Sequence, residues 1–123
     1  MERIASMFFH SRTQAHVFHL RVKGPGAYAA HKALQDYYEG IVDIIDGLVE
    51  SYQGKYGLIE FKNVSTIDNN AEADNIISYF KNLCIFLEKE RKDEKLKDTY
   101  IQNQIDTLCE LLNSTLYKLT NLQ

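Results

Sequence analysis

A single proline, Pro25, interrupts the 123 residues of this chain. Proline breaks a helix interior because it lacks an N–H and clashes with the preceding turn. Its near absence, with little β-branched alternation, leaves long stretches in which apolar residues recur every three or four positions. The chain therefore reads as mostly helical. The first helix is expected over about Glu2 to Leu20, ended by Gly24-Pro25-Gly26, with Pro25 just outside the next helix start. The second, from about Tyr28 to Tyr52 or Tyr56, carries Ala30, Leu34, Tyr37, Ile41, Ile44, Leu48 and Tyr52 on one face. A third helix from near Asn70 to about Lys92 and a fourth from about Glu94 to Leu119 complete an all-α four-helix bundle. One domain, residues 1–123, is expected from the length. Gly40 and Gly47 weaken the second helix by roughly 1 kcal/mol each and point to a close helix contact or a bend. Between helices two and three, "GKYGLIEFKNVSTIDNN" fits a loop, a short helix or a brief extended element.

Charge and composition narrow the function. The net charge is −3 and no block of Lys and Arg stands clear of acids, which argues against an electrostatic grip on nucleic acid. No apolar run approaches the roughly 20 residues of a membrane span. The opening "MERIASMFFHSRTQ" lacks the pattern of a secretory leader, so a cytoplasmic setting is expected. Cys84 and Cys109 have no zinc-ligand spacing and read as buried small hydrophobes, with a disulfide left open. Neither a Gly-rich phosphate loop nor a Ser-His-Asp arrangement occurs.

The residues that carry chemistry lie on either side of the Gly-Pro-Gly turn. His19 closes the first helix and His31 opens the second, so the turn can bring them together. Along the second helix Asp36, Glu39, Asp43, Asp46 and Glu50 recur at intervals of three and four and span only about 80° of its surface. Such a stripe is what a solvated helix face looks like. Asp46 and Glu50, one turn apart, also form a pair that can bind a cation. Asp46 lies fifteen residues past His31, roughly 22 Å along the helix, so no single ion is held by both within one chain. Two copies packed with their long helices antiparallel about a twofold axis would join them. The spacing thus predicts either idle half-sites or two equivalent metal sites shared across a dimer. His10 and His16 are read as surface or packing residues; Tyr28, Tyr37 and Tyr38 lie near the site, where one could transiently supply an electron, with packing the preferred reading.

At these residues the sequence resembles the Dps family, the cage-forming miniferritins of the ferritin-like superfamily. "HLRVKG" from His19 follows that family's His-x-x-Val-x-Gly form, and His31 stands at its second histidine. Asp46 and Glu50 stand at its two later carboxylates. The likeness is strongest over residues 19–50. It implies a ferritin-like bundle in which His19 and His31 of one subunit and Asp46 and Glu50 of its mate bind iron, at most two ions per shared site. It further implies ferroxidase activity with hydrogen peroxide or dioxygen, and a homo-oligomer, an antiparallel dimer or a dodecamer storing ferric mineral. Two positions depart from the pattern: Gln35 stands where the family has an acid, and Leu20 where it has an aromatic. The lysine-rich tail through which some members bind DNA is absent from the sequence. The other expectation is a ferritin-like structural or interaction protein without ferroxidase activity.

Overall fold

The computed structural model describes residues 1–122 and contains four α-helices and no strand among them. They are α1 (Glu2–Arg21), α2 (Ala27–Tyr56), α3 (Ala73–Glu90) and α4 (Thr99–Asn121). Helix α2 packs along α1 on one side and α4 on the other, while α3 rests mainly on α4 and touches α1, closing a four-helix bundle. Its core is the set of apolar positions at helical spacing: Phe8 and Phe18 from α1, Leu34, Ile41 and Leu48 from α2, Ile76 and Phe80 from α3, Ile105 and Leu112 from α4. Tyr37 is fully buried among them. Its hydroxyl donates to Ser11 Oγ (2.6 Å), which donates in turn to the Phe8 carbonyl (2.7 Å), so the buried phenol is satisfied. Burial pushes the Tyr37 phenol well above its ordinary pKa.

Several boundaries differ from expectation. Helix α3 starts at Ala73 rather than near Asn70, because Asp68 and Asn70 spend their side chains on the backbone N–H groups of Asn70 and Glu72. Helix α4 starts at Thr99 rather than Glu94, and residues Glu94–Leu96 form a separate 3-10 turn. There Asp93 accepts from the Lys95 N–H, and Gln102 Nε2 donates to the carbonyls of Arg91 and Leu96. Tyr100, in the first turn of α4, is exposed. Cys84 and Cys109 are free thiols, half-buried rather than fully so. Burial and then the Glu88 carboxylate push the Cys109 thiol up to about 11.

The connection from α2 to α3, residues 57–72, has no regular element of its own. It runs back along α1. The Lys62 N–H donates to Ser6, the Thr66 carbonyl accepts from His10, Asp68 exchanges two bonds with the Gln14 amide, and the Asn69 carbonyl accepts from Arg21. Ser6 to Arg21 spans about 22 Å of helix, close to what the seven steps from Lys62 to Asn69 cover when extended. Gln14 is fully buried, and its two amide atoms supply the partners a strand would have given. This long crossover carries the chain to the end where α2 began, so α3 runs parallel to α2.

Candidate functional site

Five residues join α1 to α2. Val22 leaves the helix in an extended conformation with its N–H on the Phe18 carbonyl, and Gly24 and Gly26 take left-handed φ of 88° and 80°. Those angles are strained for any residue with a Cβ, which is why two glycines flank Pro25. The reversal sets the last turn of α1 against the second turn of α2 and brings His19 to His31.

The two histidines are locked together by their own backbones. His19 Nδ1–H donates to the His31 carbonyl (2.7 Å), and His31 Nδ1–H donates to the His19 carbonyl (2.8 Å). A carbonyl only accepts, so each Nδ1 must carry the proton, and each neutral ring keeps its lone pair on Nε2. A backbone carbonyl on the other ring nitrogen is the partner that orients metal-binding histidines. His19 is 7% exposed and His31 is half-buried. Their rings stack with centroids 3.6 Å apart and 17° between planes. An ion on an imidazole lies in the ring plane about 2 Å from nitrogen. Planes 3.6 Å apart and tilted by 17° meet only about 12 Å away (3.6 Å divided by the tangent of 17°), so one ion does not fit both lone pairs. Chemically, such a pair could serve two ions, one on each ring, or one ion on one ring with the other ring as its support.

Around the pair, His16 stacks on Tyr38 (4.3 Å, 21°) and Tyr38 meets His19 edge-on (5.2 Å, 78°). These contacts tie the outer sides of α1 and α2 into one face. Further along it an open groove of about 400 Å³ is lined by Phe9, Arg12, Thr13, Val42, Ile45 and Asp46. Asp46 therefore shares the α1/α2 side with the histidines, about 60° round α2 from His31, and Glu50 follows about 100° round.

The structure brings His19 and His31 together and leaves Asp46 and Glu50 at the other end of the helix. Both acids are exposed, and neither makes a hydrogen bond or ion pair among the described residues. The rest of the stripe is partly engaged: Asp36 pairs with Lys118 (3.1 Å), and Glu39 accepts from Gln35 Nε2 (3.0 Å). Within one chain no three His, Cys, Asp or Glu side chains converge to hold a metal ion, among the described residues. His10 packs instead of facing a site. Its Nε2–H donates to the Thr66 carbonyl (3.1 Å), so its Nδ1 accepts from the Tyr79 hydroxyl (3.0 Å).

One feature was not anticipated from the residues, and one was placed near the site without its ring contacts. The reciprocal carbonyl bonds depend on the tertiary approach of two helices and leave no local signal. Tyr38 did leave one: it stands seven residues after His31, two helical turns on along the same face.

An all-helical bundle with a preformed imidazole pair is thus the class of protein the fold and geometry define. Residues 19–119 match a family of unknown function, DUF5856, and the chain belongs to that family. The matched region begins at His19 and contains His31, Asp46 and Glu50. No curated protein and no solved structure matches the chain. No helix among the described residues is long and apolar enough to cross a membrane.

Proposed function

We propose that this chain is a Dps-like miniferritin of the ferritin-like superfamily, a cytoplasmic homo-oligomer that oxidises ferrous iron with hydrogen peroxide or dioxygen at sites shared between two subunits. The observation that carries the reading is the reciprocal Nδ1-to-carbonyl locking of His19 and His31, which presents two Nε2 lone pairs and nothing else for an ion. Such a half-site is completed by Asp46 and Glu50 of a second copy lying antiparallel on the α1/α2 face. Their exposure and lack of partners suit them to that role, and the single long crossover between α2 and α3 is the connectivity of ferritin-like bundles.

The donor set fits iron as a substrate. Carboxylates hold both oxidation states, imidazole helps retain the ferrous ion, and positions the protein leaves open admit the oxidant. Twelve subunits closing into a shell would store the ferric product as mineral. Gln35 favours a second reading: it is neutral, and its amide is spent on Glu39, so the ion next to His31 has no local carboxylate. On that reading the chain is a ferritin-like structural or interaction protein without ferroxidase activity.

Light scattering and ferrous oxidation decide between them. The miniferritin reading expects a dimer or a particle of 12 × 14.2 = 170 kDa that oxidises iron, with the rate abolished separately by His31→Ala and Asp46→Ala. An assembled protein whose oxidation rate neither substitution changes would leave the scaffold reading standing.

A further inference from the structure

The end of the bundle where α1 turns into α2 holds a cavity that the ferroxidase reading does not use. It lies among residues 22–26, the first turns of α2 and α3 and the end of α4, with a volume of about 80 Å³. Among the described residues no histidine and no acid lines it. Its apolar lining includes the buried Ile76 and Leu119 and three residues that carry only a methyl group, Ala27, Ala30 and Ala73. These short side chains, contributed by both α2 and α3, leave open a space that larger ones would fill.

Two lysines give the cavity a sign, because Lys23 and Lys118 also line it. Lys118 Nζ donates to Asp36 Oδ2 (3.1 Å), which fixes its position and offsets its charge. Lys23 is exposed and makes no hydrogen bond or ion pair among the described residues. The sum is one unmatched positive charge beside an apolar hollow. An ammonium has three donors, so Lys118 keeps two for a further acceptor. A ligand with a single negative charge balances that sum. Size sets the rest: a cavity of about 150 Å³ takes the six carbons of a benzene ring, so about 80 Å³ takes roughly three.

We propose that this cavity binds a short-chain aliphatic monocarboxylate, its tail of about three carbons against Ile76, Leu119 and the alanines and its carboxylate on Lys23 and Lys118. Butyrate and isobutyrate have that form. An amino acid of the same skeleton would set its own ammonium against two lysines, and a long-chain fatty acid carries more carbon than the cavity holds. The site is independent of iron and of the histidine pair.

The metal-free assembled protein is titrated with butyrate at constant ionic strength, and binding is read by saturation transfer from protein to ligand protons in NMR. Saturable binding is expected, with the strongest transfer to the butyrate methyl group. Acetate, shorter by two methylenes, should bind about fifteenfold more weakly, at about fourfold per methylene, and n-butylamine should not bind. Lys23→Gln changes an exposed residue without disturbing the fold and should weaken butyrate roughly tenfold. Ala30→Leu fills the cavity and should abolish binding. Equal affinity for acetate and butyrate overturns the proposal in favour of an anion on surface lysines, and equal affinity for butyrate and butyramide leaves the charge no role and overturns it too. Affinity that keeps rising to octanoate overturns it in favour of a lipid acyl chain. Absence of saturable butyrate binding, or unchanged binding in Lys23→Gln, overturns it outright.

Discussion

The two ends of the α1/α2 face are built on opposite principles. At the histidine end every polar atom of the pair except the Nε2 lone pairs is tied down within the chain, and His19 is almost wholly buried. At the other end Asp46 and Glu50 stand in solvent with no partner. Imidazoles need a fixed tautomer and ring angle to act as ligands, and buried backbone carbonyls provide both. Two unpaired carboxylates cannot be buried that way without a counter-charge, because desolvating them is costly. In this chain they stay exposed to water. A site divided between ordered nitrogens and waiting oxygens is what a chain carrying half of each of two shared sites would display.

That contrast gives graded expectations. The largest effect falls at the histidine end. His19→Ala removes the ring that donates to the His31 carbonyl and leaves a void beside His31, though the residue-19 carbonyl still accepts from His31 Nδ1, and should destabilise the fold by about 2–4 kcal/mol in urea unfolding. A change below about 0.5 kcal/mol would mean that the locked pair contributes nothing to folding.

Next comes the middle and far part of α2. A Cβ at Gly40 or Gly47 would stand 3.6 Å from its nearest neighbour on α4, Leu111 or Gln104 respectively, an ordinary contact. Gly47→Ala should therefore raise the unfolding midpoint, by up to about 1 kcal/mol from backbone entropy. A loss would show that α2 and α4 approach more closely than this in the assembled protein.

A smaller effect is expected beyond the acid end, where Asp98 accepts from Lys55 (2.7 Å) and from Tyr56. Those two bonds, Lys55 first, hold its carboxyl below the usual range. A depressed folded pKa contributes stability above the ordinary Asp value of about 3.9 and loses it as pH falls through the lower folded value. Asp98→Asn should differ from wild type near neutrality and converge with it in acid, a modest difference because its partner Lys55 is solvent-exposed. The smallest effect is at the acid pair itself. Asp46→Asn and Glu50→Gln should leave the unfolding free energy of the metal-free protein within about 0.5 kcal/mol. A larger loss would place both acids in a structural role.

Much of the fold was legible in the residues, because the core is a helical periodicity and periodicity is local. Leu34, Tyr37, Ile41 and Leu48 fall on the buried face of α2 as their spacing requires, and the Gly-Pro-Gly turn sits where expected. Helix starts were less legible. Asp68, Asn70 and Asp93 redirect backbone N–H groups with their side chains, which moved the starts of α3 and α4 by several residues. The crossover was ambiguous for a related reason. Its course is set by Ser6, His10, Gln14 and Arg21 on another helix, and nothing within residues 57–72 announces them. At the candidate site the approach of His19 to His31 followed from the turn. Their mutual carbonyl bonds depend on the packing of two helices, beyond what spacing encodes, whereas Tyr38 was placed near the site from the sequence.

The central claim, one site divided between two chains, is tested most directly by mixing subunits. His31→Ala and Asp46→Ala proteins, each inactive alone, are unfolded together, refolded and assayed for ferrous oxidation. Random pairing makes half the dimers mixed, and each mixed dimer has one intact site of two, so about a quarter of wild-type activity should return. Activity that stays at zero in a mixture shown by mass to contain mixed dimers would contradict the shared site.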